Sequence, residues 1–303
     1  MESYDVIIIG AGPAGLSAAV YALRGNLKTL ILESDTPGGK MVKTSDITNW
    51  PGIIQVEGPT LAYNMYEQVL SLNAVYKYGR VIKIQNRKKD KIVYTDDSKY
   101  KTKAIIIASG TNYRKIGVEN EDNFYGKGIS YCAVCDAKLY QGKNVAVLGG
   151  GDSALKEAIY LSNFANEVVL IHRKDSFRAS PTLIDKMIKI PNILCKTPYV
   201  IKKIVGNEKL EGILIEEVQS KDQLYLSIDG LFPFIGSIPA TDFVQDLNIL
   251  DENGYIRVNE HMETAVSGIY AAGDVIVKDL RQIVTACNDG AIAAQHIVEH
   301  LKI

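Results

Sequence analysis

Short runs of apolar, mostly β-branched residues recur along the chain at Val6–Ile9, Thr29–Leu32, Ile105–Ala108, Val145–Leu148, Val168–Ile171 and Ile269–Ala271. Most end at a glycine or a polar residue. Runs that are apolar on both faces predict central strands of parallel sheets, covered on each side. Helical spacing follows the first run at Ala14–Arg24 and the fourth at Ser153–Phe164. Strand–helix–strand units of this kind predict right-handed crossovers. Two stretches behave differently. Residues 75–103 and 199–228 alternate polar and apolar positions, with turn residues at Asn86–Asp90, Asp96–Ser98, Gly206–Glu208 and Ser220–Asp222. Both predict antiparallel meanders. The order is a strand–helix–strand unit, a meander and a strand, and then the same again.

The chain has 303 residues, more than one core usually serves, which favours two domains. Plausible boundaries lie near Asn112–Lys115 and Ser237–Asp242. A net charge of −1 gives no global pull toward nucleic acid or an anionic membrane. Any phosphate site must therefore be local. Residues 6–23 carry no charge and could pass for a membrane or signal segment. Gly10, Gly12, Pro13 and Gly15 interrupt them, however, and only the sequence MESYD precedes, with no basic region. A strand, a glycine turn and a helix fit better, and a cytoplasmic protein is expected.

The glycine turns carry the chemistry. Gly10-x-Gly12-x-x-Gly15 stands between a strand and a helix, where the first glycine permits a tight turn, the second lets backbone approach a pyrophosphate, and the third lets helix and strand pack closely. The next strand ends in Glu33, a carboxylate suited to ribose hydroxyls and so to an unphosphorylated adenosine. A second turn, Gly149-x-Gly151-x-x-Ala154, has Asp152 and Ser153 at the helix start. At the position matching Glu33 stand His172 and Arg173, with Lys174 and Arg178 nearby. A carboxylate there would repel a 2′-phosphate, whereas a cationic cluster binds one through charge-assisted hydrogen bonds, so NADPH is the expected second nucleotide. The fold class is α/β with two Rossmann-like, dinucleotide-binding domains, each with an added antiparallel meander. Cys132 and Cys135 stand three apart, followed by Asp136. Such a pair can bind a metal, staple a loop or exchange electrons. A zinc site needs four ligands, and the other two cysteines, Cys195 and Cys287, are isolated in the sequence. His296 and His300 share a helix face but fit a solvated helix end. No metal is expected.

Taken together, the stretches GAGPAGLSAAVYA, NWPG, IIASG, YCAVCDA, GGGDSALKEA, HRKDSFRA and GIYAAGDV…RQIVTACNDGAIAA resemble the low-molecular-weight, bacterial-type thioredoxin reductases over essentially the full chain. The resemblance implies an FAD domain of residues 1–113 and 242–303, an inserted NADPH domain of residues 114–241 carrying the cysteine pair, and a homodimer. It places FAD against Gly10, Gly12, Gly15, Glu33, Gly38, Gly39, Lys40, Asn49, Val81, Gly110, Asp274, Arg281, Gln282 and Ile283. It implies hydride transfer from NADPH to FAD, then two electrons to a Cys132–Cys135 disulfide, then reduction of thioredoxin. Cys135 would lie against the flavin, Cys132 would attack thioredoxin, Asp136 would serve as the acid, and the domains would rotate between half-reactions. Two departures stand out. Lys40 replaces the usual glutamine, and a cation near a flavin favours its reduced, anionic form. Ala137 replaces the glycine that commonly follows the CxxCD stretch.

Overall fold

The computed structural model describes residues 1–44, 46–87 and 89–301. Lys88, inside the turn expected at Asn86–Asp90, and the last two residues of the expected FAD domain lie outside the described residues. The chain divides into two compact units, Met1–Asn112 with Ile238–Ile303, and Tyr113–Ser237.

The first unit is built on one sheet in the strand order Val75–Tyr78, Thr29–Glu33, Ser3–Ile9, Lys99–Ile107, Lys91–Thr95, Val81–Asn86, with Ile269–Ala271 also pairing to Lys99–Ile107. Ser3–Ile9 pairs in parallel with both Thr29–Glu33 and Lys99–Ile107. Ile7, Ile8, Ile31, Ile105 and Ile106 are fully buried, the burial their two-faced apolar runs predict. Residues 75–103 differ from the separate meander expected of them. Val75–Tyr78 pairs in parallel with Thr29–Glu33, and only the last three strands are antiparallel. Lys99–Ile107 belongs to both arrangements, so meander and parallel sheet are continuous. Its first half alternates and its second half is wholly apolar, as an element passing from a half-exposed to a covered position requires. Two helices, Pro13–Arg24 and Ile283–Leu301, cover one face and share a core with Val6, Ile8, Ile31 and Ile106.

The second unit holds a four-stranded parallel sheet in the order Ile193–Lys196, Glu167–Ile171, Asn144–Leu148, Gly230–Pro233. The helix Asp152–Leu161 packs on it through Ala154, Leu155, Ala158 and Leu161. The second meander is a sheet of its own, Tyr199–Gly206, Leu210–Glu217 and Gln223–Ser227, all antiparallel. No helix among the described residues is long and apolar enough to cross a membrane.

Candidate active site

The first glycine turn lies at the carboxyl ends of the parallel strands, where open α/β sheets bind ligands. Gly10 has φ +103, a region closed to most side chains, and a Cβ on Gly15 would run into the carbonyl oxygen of Gly10. Gly12 differs: it is the N-cap of the helix, makes no side-chain cap, and a Cβ there would meet nothing within 4 Å. Open space thus faces helix N–H groups, the environment that suits a phosphate. Glu33 accepts hydrogen bonds from the N–H groups of Ala11 (2.7 Å), Ser34 (2.7 Å) and Asp35 (2.9 Å), which fixes the carboxylate beside the turn.

Gly38 and Gly39 approach the same turn, and other candidate residues pair with one another. Gly38 N donates to Ala11 O at 2.7 Å, and a Cβ on Gly39 would lie 3.3 Å from Gly12 Cα. Lys40 Nζ donates to Thr111 Oγ1 (2.6 Å) and pairs with Asp274 Oδ2 (3.0 Å). Gly110, with φ +68 and open space at its Cβ position, precedes Thr111. Asn49 Nδ2 donates to Gln282 Oε1 at 3.0 Å, and Ile283 packs with Met41, Ile47 and Leu61. Arg281 Nε donates to Asp274 O at 3.3 Å, and its guanidinium covers the Tyr255 ring at 4.5 Å. Val81 is different in kind: it is buried in the sheet's own core, although Gly79 N, two residues earlier, donates to Glu33 O at 2.8 Å.

Sequence reasoning missed the groups that hold this region. Asp289 is buried, accepts from Gly273 N at 3.0 Å and pairs with Lys278. It fixes the turn that presents Asp274. An aspartate in the middle of an otherwise apolar helical segment was the available signal. Thr111 gave none.

In the second unit, Gly151 caps its helix and, like Gly12, has open space at its Cβ position. The basic loop is tied to this turn: Arg178 N donates to Gly150 O at 2.7 Å, and Ser180 N donates to Asp152 Oδ1 at 2.8 Å. Arg173, Lys174 and Arg178 are exposed, as are Asp152 and Ser153, whereas Ala154 is buried. His172 is buried against Gly150 and stacks on Phe177 at 5.6 Å. Burial first, then the charges of Arg178, Arg173 and Lys174, hold its imidazole below the usual histidine range. His172 is thus held toward its neutral form, and Arg173, Lys174 and Arg178 are the exposed cations of the loop.

Cys132 and Cys135 form a disulfide. They lie on the short helix Ala133–Asp136, which Cys132 caps: Cys135 N donates to Cys132 Sγ at 3.2 Å. Ala133 and Ala137 share a core with Ala154, Leu155 and Ala158, so the redox pair rides on the helix of the second glycine turn. Ala137 has φ −52, an ordinary helical conformation that needs no glycine. Asp136 ends the short helix and stands at the N-cap position of the 3-10 turn Ala137–Tyr140 that follows, without a side-chain cap bond. Burial, and then the charge of Asp136, push both the Tyr125 and Tyr140 hydroxyls up to about 12. Among the described residues no group of three or more His, Cys, Asp or Glu is arranged to hold a metal. The His296 and His300 rings lie tilted with centroids 3.9 Å apart, and His296 Nδ1 shares a hydrogen bond with the Tyr270 hydroxyl at 2.9 Å.

A dinucleotide turn, a second turn with a cationic loop, and a disulfide packed on the latter's helix agree with the family that the sequence matches over residues 4–290. The chain belongs to the pyridine nucleotide-disulphide oxidoreductase family. It is an oxidoreductase. Within this family it is 45% identical to a thioredoxin reductase of Mycoplasma genitalium over 96% of this chain and 93% of that protein. It is 43% identical to the thioredoxin reductase of Bacillus subtilis, over 99% and 96%. The crystal structure of thioredoxin reductase from Streptococcus pyogenes superposes with a TM-score of 0.94 at 44% identity, covering 99% of this chain and 98% of that one.

Proposed function

We propose that the chain is a thioredoxin-disulfide reductase that uses NADPH as reductant and FAD as resident cofactor. The observation that carries the reading is the disulfide itself, packed on the helix whose glycine turn is tethered to the basic loop. The open glycine cradle at Gly12, flanked by Glu33, Gly38, Gly39 and the Lys40–Asp274 pair, fits a dinucleotide carrying an unphosphorylated ribose. Gly10, Gly12, Gly15, Glu33, Gly38, Gly39, Lys40, Asn49, Val81, Gly110, Asp274, Arg281, Gln282 and Ile283 would hold FAD. When bound there, it supplies the two-electron chemistry that links NADPH to the disulfide.

The remaining steps belong to the chain's own side chains. Arg173, Lys174 and Arg178 hold the 2′-phosphate of NADPH, and Gly149, Gly151, Asp152, Ser153 and Ala154 form its pyrophosphate turn, with His172 as spacer. Reduction of the pair consumes two electrons and leaves one thiol and one thiolate, or two thiols at lower pH. The N–H of Cys135, which already points at Cys132 Sγ, stabilises a thiolate there. Cys132 attacks one sulfur of the thioredoxin disulfide, and the other sulfur leaves as a thiolate. Cys135 then attacks the mixed disulfide, restoring the Cys132–Cys135 bond and releasing reduced thioredoxin. Asp136, adjacent to Cys135, holds the proton that a departing thiolate takes up. Rotation about the two chain crossings lets the NADPH and disulfide half-reactions alternate. The protein is expected to act in the cytoplasm as a homodimer, with no nucleic-acid or membrane partner.

A redox sensor would carry the same groups. Steady-state NADPH oxidation separates the two readings: sustained turnover with purified thioredoxin, and little with oxygen alone, supports the reductase. Oxidation that stops after one equivalent per chain overturns it.

A further inference from the structure

An aromatic stack adjoins the redox pair and is used by none of the steps above. The Tyr131 ring lies against that of Tyr113, with centroids 4.2 Å apart and planes 12° from parallel. It stacks also with Tyr125, at 5.6 Å and 26°. Its hydroxyl donates to Glu121 Oε1 at 3.0 Å. Glu121 is itself buried, and its carboxylate accepts from Ile116 N (2.9 Å) and Gly117 N (3.0 Å), so the acceptor is fixed by backbone. Burial, and then the Glu121 charge, hold the Tyr131 hydroxyl above the usual tyrosine range, which keeps it a donor at any pH the enzyme meets. Cys132 is the next residue. Its N–H donates to Ser130 Oγ at 3.1 Å, and Ser130 N donates to Leu231 O on the parallel sheet at 3.0 Å. Residues 130 and 131 are therefore fixed independently, one by the sheet and one by the stack, and together they set the exit direction of the Cys132 side chain.

We propose that Tyr131, clamped by Tyr113, Tyr125 and Glu121, is a positioning residue that sets Cys132 Sγ for attack on the incoming disulfide and keeps it over the Cys135 N–H. This rests on the reductase reading. A bond-forming sulfur must lie within a fraction of an ångström of its productive place, and a misplacement of about 1 Å costs up to about 100-fold in rate. Residue 131 is fixed through two stacked ring contacts and its hydroxyl, immediately before the nucleophile. Tyr113 is the first residue of the second unit, so the stack also joins the point where the chain enters the unit to the redox pair.

The test uses full-length, FAD-loaded protein carrying Tyr131→Leu, Tyr131→Phe or Glu121→Gln. Each is assayed for NADPH oxidation with thioredoxin and with ferricyanide, an acceptor that bypasses sulfur. In a Cys135→Ser background, which keeps the residue-135 N–H, iodoacetamide alkylation of Cys132 is followed against pH by mass spectrometry. Tyr131→Leu is expected to lower kcat with thioredoxin by at least about tenfold, to leave the ferricyanide rate and the NADPH KM unchanged, and to move the alkylation midpoint of Cys132 upward. Tyr131→Phe, which keeps the ring and loses the hydroxyl, should fall between wild type and Tyr131→Leu, and Glu121→Gln should resemble it. Wild-type thioredoxin rates and an unmoved alkylation midpoint in Tyr131→Leu would overturn the proposal. If that variant also loses ferricyanide activity, the Tyr131→Phe and Glu121→Gln midpoints decide: shifted supports the proposal, unshifted rejects it. Should wild type fail to reduce thioredoxin at all, the functional reading fails, while the alkylation profiles still test the positioning role.

Discussion

Lys40 Nζ lies 3.0 Å from Asp274 Oδ2, joining two residues 234 positions apart at the carboxyl edge of the first sheet. The sequence alone suggests a cation that would favour reduced flavin. Paired with Asp274, and donating to Thr111, Lys40 has its charge largely matched. With side-chain exposures of 32% and 20% the pair is screened by solvent and worth about 0.2–1 kcal/mol. Lys40→Gln leaves the Asp274 carboxylate unbalanced beside the expected phosphate site. FAD affinity, read from the fluorescence of released flavin, should drop by roughly two- to fivefold. Adding Asp274→Asn should give less than the sum of the two single losses. Strict additivity would show that the two charges do not act together.

The cationic loop makes a cofactor-specific prediction. Arg173→Ala and Arg178→Ala should each remove a charge-assisted hydrogen bond worth about 1.5–3 kcal/mol. The loss should appear in KM for NADPH and not for NADH. Asp152→Ala, which cuts the tether to Ser180 N, should weaken NADPH less than either arginine change. Equal losses with both nucleotides would assign the loop another purpose.

His172 predicts an acid sensitivity. Its folded pKa is depressed below the ordinary 6.5, mainly by burial. An unfolded chain therefore binds a proton below pH 6.5 that the folded one refuses. The stability that His172 contributes is complete above pH 6.5 and is lost as pH falls from there toward the folded value, by up to about 1.4 kcal/mol per unit. Urea midpoints at pH 7.5 and 5.5 measure the slope, and His172→Gln should flatten it. An unchanged slope would place the acid sensitivity elsewhere.

The two cysteines should behave differently. Cys135→Ser keeps the attacking sulfur and should trap thioredoxin as a stable mixed disulfide on a non-reducing gel. Cys132→Ser should trap none. Both should retain NADPH oxidation with ferricyanide. Trapping by Cys132→Ser would reverse the roles, and thioredoxin reduction by either variant would remove the pair from the mechanism.

The parts of the fold that were legible are those whose signal is local. Fully apolar runs such as Val145–Leu148 and Ile269–Ala271 are strands because nothing in them tolerates solvent, and the glycine turns announce themselves by backbone need. Val75–Tyr78 reads as part of a meander because its alternation is that of a half-exposed strand; its parallel partner, Thr29–Glu33, lies more than forty residues earlier. Strands Ile193–Lys196 and Gly230–Pro233 are short edge elements of four residues, too brief for a period to show. In the candidate site, charge type identified the Arg173–Arg178 loop. Pairings between distant segments, such as Lys40 with Asp274 and Gly273 with Asp289, leave no pattern in one sequence, because nothing local to either partner names the other.

The first unit's core draws on both ends of the chain. Tyr270, Ala286, Ala293 and Ile297 pack with Val6, Ile8, Leu16 and Ala18, while the second unit is contiguous from Tyr113 to Ser237. On the ribosome, then, the inserted unit is complete and able to fold while the unit that was begun before it still lacks a helix and a strand. The nascent sheet must wait with Lys99–Ile107 missing its neighbour until the final segment emerges, so birth order and architectural order are reversed.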